Sequence, residues 1–195
     1  MTKAESRKNA ATLRQRQIRS KAIRPPSDGS SPRFVADVML GRLAKWLRIA
    51  GFDVLYSNRF ADDELVALSA SEDRILLSRD TRLLVRRVVK RFIFLESEEI
   101  QAQIRQVFEV TGTHTLPGIL TRCLSCNDVL LEAPRERVRE RVPPFVFATQ
   151  VQFKTCPRCS RIYWAGTHRQ SVVRILEKLL RDREGRGDKH RNPSA

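Results

Sequence analysis

The sequence predicts an α/β domain built on a parallel sheet, followed by a small cysteine-containing module. Four short apolar runs, beginning at Phe34, are each followed by a stretch with helical periodicity. Strands that alternate with helices in this way form parallel sheets with helices on both faces. Two C-x-x-C motifs in the second half of the chain indicate a metal-binding module. The 195 residues suffice for one such core and a small accessory.

Residues 1–32 are predicted to be a disordered basic arm. Lys and Arg are frequent there, Glu5 and Asp28 are the only acids, and large apolar residues are scarce. Such a composition buries too little apolar surface to offset chain entropy. An Arg-rich, acid-poor N-terminus is also typical of an organelle transit peptide, and this alternative stays open.

Residues 33–110 are predicted to form the α/β domain. Its elements alternate as strand RFVAD, helix LGRLAKWLRIAG, strand FDVLYS, helix DDELVALSASE, strand RILLS, helix TRLLVRRVVK, strand RFIFLE and helix SEEIQAQIRQVFEV. The first helix places its apolar residues on one face and ends at Gly51, a residue favoured at helix ends.

The remaining chain divides into four predicted segments. Residues 111–122 are a connector, residues 123–168 the cysteine module, residues 169–183 an amphipathic helix and residues 184–195 a disordered tail. The helix carries its apolar residues at helical spacing: Val172, Val173, Leu176, Leu179 and Leu180.

The chain is strongly basic, which restricts its partners. Its 37 Lys and Arg against 22 Asp and Glu give a formal net charge of +15, a balance that favours nucleic acid. No apolar run reaches the roughly 18 residues of a membrane span, and no apolar signal segment opens the chain. We therefore expect a soluble, cytoplasmic protein that binds nucleic acid and no membrane.

Acidic residues follow the predicted strands. Asp37 ends the first strand, Asp80 follows the third, and Asp62 and Asp63 open the helix after the second. Ligands of open parallel sheets bind outside the carboxyl ends of the strands. Carboxylates gathered there repel one another unless a cation such as Mg²⁺ or Mn²⁺ joins them, and such ions activate water in phosphodiester cleavage.

The acidic pattern thus predicts a metal-dependent nuclease site, with Asp37 and Asp80 as ligands of Mg²⁺ or Mn²⁺ and with Asp62 and Asp63 as further catalytic candidates. Helix capping is the competing interpretation for Asp62 and Asp80.

Basic side chains accompany these acids. Arg42, Lys45 and Arg48 recur on the helix after Asp37, and Arg79 adjoins Asp80. We predict that Arg42, Arg48 and Arg79 bind phosphates beside the metal without reading sequence. A solvated helical face is the alternative, above all for Lys45.

Four cysteines form two C-x-x-C knuckles: Cys123, Cys126, Cys156 and Cys159. Four thiolates complete a tetrahedral shell around Zn²⁺ and leave no open position for water, so this zinc is predicted to be structural. The 29 intervening residues exceed the usual spacing of roughly 15–20, and redox or disulfide chemistry stays an alternative.

The motifs FVADVMLGRLAKWLRIAGFDV, DDEL, RILLSRD, RCLSC and CPRCSRIYWAGTH occur in this order. They resemble the Mut-seven C-terminal RNase domain family, a branch of the PIN-like nucleases with an attached zinc ribbon. The resemblance covers about residues 33–170. It implies a PIN-like parallel sheet with helices on both faces, a small zinc ribbon, and an acidic, metal-dependent ribonuclease site.

By position, Asp37 matches the first PIN carboxylate and Asp80 the acid after the third strand. The DDE cluster would supply the second acid, but the resemblance does not choose among Asp62, Asp63 and Glu64. Ser78 stands where a Thr is frequent and keeps the hydroxyl.

The ribbon offers a basic and aromatic surface that we expect beside the nuclease cleft: Arg158, Arg161, Tyr163 and Trp164. Packing inside the ribbon is the alternative for the two aromatic residues. His168 matches the family pattern as a phosphate contact.

We therefore expect a Mg²⁺- or Mn²⁺-dependent ribonuclease that hydrolyses RNA phosphodiester bonds. The rival interpretation is a catalytically weak module that attaches to RNA or ribosomes through its ribbon and basic tails. A hydrolase of DNA or of small phosphoesters is a third possibility.

Overall fold

The computed structural model describes residues 3–19, 30–166 and 169–187. Eight α-helices occur in this part of the chain: α1 (Lys3–Arg19), α2 (Gly41–Ile49), α3 (Asp62–Ser71), α4 (Thr81–Val85), α5 (Ile100–Thr111), α6 (Arg135–Val138), α7 (Pro144–Thr149) and α8 (Arg169–Gly187). Seven strands accompany them: β1 (Phe34–Ala36), β2 (Val54–Tyr56), β3 (Ile75–Ser78), β4 (Phe92–Phe94), β5 (Leu131–Ala133), β6 (Phe153–Thr155) and β7 (Ile162–Trp164). None of the helices is long and apolar enough to cross a membrane.

The first four strands form one parallel sheet in the order β2-β1-β3-β4. From β1 the chain crosses first to β2 on one side and then to β3 on the other. The strand order therefore reverses between β1 and β3, and the crevice outside their carboxyl ends is the position where such sheets bind ligands.

Helices cover both faces of this sheet, which confirms the predicted α/β class. Alternate strand residues point to opposite faces. On one face, Phe34, Ala36 and Leu77 are buried with apolar residues of α2, α5 and α8. On the other face, Val35 and Leu76 are buried with apolar residues of α1, α3 and α4.

The helix predicted after β3 is shorter than expected. Thr81–Val85 form α4, whereas the prediction extended it through residue 90. The chain leaves helical geometry at Arg86, whose ψ is 130°, and this lets Val89 enter the core of the second face.

The expectation of disorder in the basic arm is wrong for Lys3–Arg19, which form helix α1. Leu13 is fully buried, and Ala10 packs against the same apolar cluster. Leu13 packs α1 against α4 and β4. The average composition of the segment does not reveal this tertiary contact. Residues 20–29 of the arm lie outside the described part of the chain.

The C-terminal helix extends to Gly187, four residues beyond the predicted end. Leu176 and Leu179 are buried in the core of the first face. The helix therefore packs back onto the α/β domain. Residues 188–195 lie outside the described part of the chain.

The cysteine module contains a three-stranded antiparallel sheet in the order β5-β6-β7. Helices α6 and α7 lie between β5 and β6 and account for the long interval between the two cysteine motifs. This insertion packs against β6 in a small core, in which Val138, Val142 and Phe153 are buried.

Candidate functional site

Asp37 lies at the carboxyl end of β1 with only 4% of its surface exposed. Its Oδ2 accepts a hydrogen bond of 2.5 Å from the Ser78 hydroxyl at the end of β3. The side chain makes no capping hydrogen bond to the 3₁₀ turn that follows it. Helix capping therefore does not explain this buried carboxylate.

Asp80 is linked to Asp37 through Ser78. The Ser78 Oγ accepts from the Asp80 backbone N–H at 2.9 Å while its own proton goes to Asp37. Asp80 also caps α4, since its Oδ1 accepts from the Arg82 backbone N–H at 2.7 Å. Within the described residues, Asp80 Oδ2 has no hydrogen-bond donor, so this half-exposed side chain keeps one oxygen for a ligand.

Asp62, Asp63 and Glu64 occupy the exposed first turn of α3. The competing interpretation of Asp62 as a helix cap is wrong, because Ala61 is the N-cap residue and its N–H donates to Glu64 Oε2 at 2.8 Å. Asp63 pairs with Arg86 at 2.6 Å. In the described part of the chain, only the cysteines form a group of three or more ligand side chains close enough to share an ion. The structure therefore joins Asp37 to Asp80 but does not add an acid of α3 to them.

Two of the predicted phosphate-binding arginines share a cleft at the carboxyl end of the parallel sheet, which Asp37 and Asp80 do not line. Arg42 and Arg79 line a cleft of about 230 Å³ at this edge, together with Met39, Glu98 and Gln103. Arg42 is exposed, and Arg79 is paired with Glu98 at 2.8 Å. The carboxylate edge, which we define as Asp37, Ser78, Asp80, Arg42 and Arg79, thus combines acids with cations.

The predicted phosphate contact of Arg48 is wrong. Arg48 is only 3% exposed, and its guanidinium donates to the carbonyl oxygens of Val54, Leu124 and Ser125 at 2.8–3.0 Å. Burial lowers the pKa of Arg48, but a guanidinium titrates so high that it stays charged. Arg48 therefore attaches α2 to the first cysteine motif.

Two positions that support the carboxylate edge were not identified from the sequence. The Tyr56 hydroxyl donates to the Val38 carbonyl at 3.0 Å and so holds the turn that follows Asp37. A Cβ at Gly41 would lie 2.5 Å from the Tyr56 hydroxyl oxygen. A glycine at the start of a helix was the one available signal for this close approach.

The four cysteines meet at one point, as predicted. Their sulfur atoms lie within 4.8 Å of one another, none forms a disulfide, and Cys123 and Cys159 are 3.7 Å apart at sulfur. Tetrahedral Zn²⁺ with Zn–S bonds of about 2.3 Å separates its sulfur ligands by nearly the same distance. The cluster can therefore hold a structural metal such as zinc.

Tyr163 orders this cluster from within the ribbon. Its hydroxyl accepts from the Leu124 N–H at 3.1 Å and contacts Cys123 Sγ at 3.1 Å. Burial opposes ionisation of Cys123, but hydrogen bonds from Tyr163 and from backbone N–H groups outweigh it and lower the pKa of Cys123 to about 6. The predicted surface role therefore does not hold for the Tyr163 hydroxyl, which packs against the Cys123 sulfur.

The cysteine motif Cys123–Cys126 contacts the amino-terminal edge of the parallel sheet. Asn127 Oδ1 accepts from the Val54 N–H at 2.9 Å, and Asn127 Nδ2 donates to Asp53 at 2.8 Å. Asp53 also pairs with the buried Arg74 at 2.6 Å. Val54 begins β2, whereas Asp37 follows the end of β1.

The expectation that the ribbon lies beside the carboxylates is therefore wrong for this motif. Of the other predicted surface residues, Arg158 pairs with Asp128 at 2.7 Å, Arg161 Nη1 lies 3.8 Å from Cys159 Sγ, and Trp164 is 37% exposed. His168 lies outside the described residues.

Comparison with known proteins identifies the family. The model of the Mut7-C RNAse domain matches residues 32–176, a range that includes the carboxylate edge and all four cysteines. No curated protein and no solved structure matches the chain. The chain belongs to the Mut7-C RNAse domain family.

Proposed function

We propose that this protein is a ribonuclease that depends on Mg²⁺ or Mn²⁺ and cleaves RNA at the carboxylate edge. The observation that carries the proposal is the buried carboxylate of Asp37. Burying a charge is costly unless it is paired, and among the described residues no Lys, Arg or His forms an ion pair with Asp37. Its hydrogen-bond partner there is the neutral Ser78 hydroxyl. A divalent cation fits such an anion.

The donor atoms suit the proposed ion. Asp37 and Asp80 offer carboxylate oxygens, the ligands that Mg²⁺ and Mn²⁺ prefer. When bound, such an ion activates water and neutralises charge on a phosphate. Asp62, Asp63 and Glu64 remain candidates for a further acid only if the first turn of α3 approaches the edge when the ion binds.

The chain's own side chains would position these groups. Ser78 holds the Asp37 carboxylate in one orientation and also fixes the backbone at Asp80. Arg42 and Arg79 would bind RNA phosphates flanking the scissile bond, which orients the strand without reading its sequence. The formal charge of +15 favours a polymeric anion over a small phosphoester.

The cysteine cluster is proposed to hold Zn²⁺ as a structural ion. Four thiolates leave no position for a catalytic water. The ion would stabilise the ribbon and, through Arg48 and Asn127, its contact with the parallel sheet. A cytoplasmic location, as expected from the sequence, belongs to this proposal.

Cleavage of a labelled single-stranded RNA by the full-length protein tests the proposed function. Protein treated with EDTA and dialysed should be inactive, and Mn²⁺ or Mg²⁺ should restore cleavage while Zn²⁺ alone should not. A DNA of the same sequence separates RNA from DNA hydrolysis. Each sample needs a zinc determination, because EDTA that removes the structural ion would confound the result.

The observation that favours the rival function is that, among the described residues, no acid of α3 joins Asp37 and Asp80 in a group close enough to share an ion. If the wild-type protein binds RNA but does not cut it with any divalent ion, the chain is an RNA-binding module. RNA binding, with or without cleavage, should weaken steeply as the salt concentration rises, because phosphate contacts release counterions.

Ser78→Ala tests whether this hydroxyl positions the two carboxylates. The substitution removes the donor to Asp37 and the acceptor for the Asp80 N–H, which is expected to cost about 1–3 kcal/mol of stability. We expect cleavage to fall about 10-fold through kcat, a typical effect for a residue that orients a metal ligand. Ser78→Thr keeps the hydroxyl and should restore most of the activity. Equal kcat values for Ser78→Ala and the wild type would exclude the positioning role.

A further inference from the structure

The loop between β4 and α5 places a carboxylate on one of the proposed phosphate-binding arginines. Glu98 Oε1 lies 2.8 Å from Arg79 Nη2, in the cleft that both residues line with Arg42. The Glu98 side chain is 82% exposed, whereas that of Arg79 is 30% exposed. Glu98 therefore lies on the solvent side of Arg79.

Glu98 has no structural role comparable to that of its neighbour. Glu99 caps α5, because its carboxylate accepts from the N–H groups of Gln101 and Ala102. Within the described part of the chain, the Glu98 carboxylate contacts Arg79 instead of a helix end. Capping of α5 thus explains Glu99, whereas the Glu98 carboxylate pairs with Arg79.

The Glu98–Arg79 pair is of a kind that substrate can replace. Exposed ion pairs stabilise a protein by only about 0.2–1 kcal/mol. A guanidinium binds carboxylate and phosphate oxygens through the same parallel N–H groups. Arg79 also has a spare donor, since its Nε is buried and has no hydrogen-bond partner among the described residues. Displacement of Glu98 would have to uncover this Nε before a phosphate could accept from both Nε and Nη2.

We propose that Glu98 stands in for an RNA phosphate: it occupies Arg79 in the free protein and is displaced when a backbone phosphate binds. The inference rests on the proposed function in assigning RNA to this cleft. Glu98 then lowers the affinity of the cleft for RNA and hastens the release of product. It also holds Arg79 in place before the substrate arrives.

RNA binding by Glu98→Gln tests the proposal. The dissociation constant for a fluorescent single-stranded RNA is measured by anisotropy without divalent ions, so that no cleavage occurs. Loss of the competing ion pair should tighten binding by about 1.4- to 5-fold, the factor that corresponds to an exposed pair. Glu109→Gln is the matched control, because it removes the same charge from an exposed position on α5 and should shift the constant less.

A second experiment tests whether the effect of Glu98→Gln depends on Arg79. In an Arg79→Gln background, Glu98→Gln should bring no gain, because the two residues act as a pair. Equal tightening by Glu98→Gln and Glu109→Gln would reduce the effect to net charge and overturn the proposal. Weaker RNA binding, or a gain that persists without Arg79, would overturn it as well.

These outcomes are independent of catalysis. A protein that binds RNA but cuts none would refute the ribonuclease, yet the shift on Glu98→Gln would still support the inference. Conversely, if Glu98→Gln abolished cleavage and Mn²⁺ binding, Glu98 would be a metal ligand and the inference would fail while the ribonuclease stood.

Discussion

Asp37→Asn is expected to reduce RNA cleavage by about 100-fold or more while the protein stays folded. Asparagine has nearly the same shape as aspartate, and its amide oxygen still accepts the hydrogen bond from Ser78. The substitution removes the charge that would hold the metal ion, and charge stabilisation by such an ion is worth several kcal/mol in the transition state. Single-turnover cleavage at saturating Mn²⁺ measures the loss.

The thermal unfolding midpoint should not fall in Asp37→Asn, because the buried position loses a charge that has no cationic partner within the described residues. Asp73→Asn is the matched control. Asp73 lies before β3, away from the carboxylate edge, and has φ of 49°, a conformation that Asn tolerates well. Its cleavage rate should equal that of the wild type. If Asp37→Asn cut RNA as fast as Asp73→Asn, Asp37 would have no part in catalysis.

Arg48→Met is expected to destabilise the protein by about 2–4 kcal/mol, because the buried carbonyl oxygen of Val54 and the partly buried ones of Leu124 and Ser125 lose their charged donor. Methionine fills similar space without a donor. Two of the carbonyls belong to residues 124 and 125, between Cys123 and Cys126, so the contact between the cysteine motif and β2 should loosen. Urea unfolding measures the stability, and a chromogenic chelator measures how fast zinc is lost.

Lys45→Met is the control for Arg48→Met. It removes the same charge from an exposed position of the same helix, and we expect its urea midpoint to stay close to that of the wild type. Zinc should leave Arg48→Met faster than Lys45→Met. Equal midpoints for the two variants would mean that the ribbon and the parallel sheet are energetically independent.

The comparison of Arg42, Lys45 and Arg48 shows where sequence reasoning failed. A spacing of three residues suggested a single exposed stripe. Successive steps of three residues fall about 60° short of a full turn, so six residues rotate the side chain by about 120°. Arg42 and Lys45 are exposed, whereas Arg48 has turned into the contact with the ribbon.

The strands were predictable because each is a short apolar run between helical segments. The strand prediction also implied that Asp37 would lie near the end of β3, since parallel strands end at the same edge of a sheet. The acids of α3 were not predictable in the same way. Their distance from Asp37 depends on how far the first turn of α3 stands from the sheet, which no local pattern encodes.

Tertiary contacts also determined the structure of helix α1 and the position of helix α8. Leu13 is one apolar residue in a basic segment, and burial against α4 and β4 makes that segment a helix. The apolar face of α8 was predicted, but its position over the parallel sheet depends on Leu176 and Leu179 meeting the core of the first face.

Mn²⁺ binding to the RNA-free protein, followed by electron paramagnetic resonance, tests the central claim most directly. The wild type should bind Mn²⁺ at a site for which Mg²⁺ competes, and this binding should reduce the signal of free Mn²⁺. Zinc should stay bound throughout. Asp37→Asn and Asp80→Asn should each lose that site, while Asp73→Asn should keep it. Mn²⁺ binding that is identical in Asp37→Asn and in the wild type would contradict a metal site built on Asp37 and Asp80.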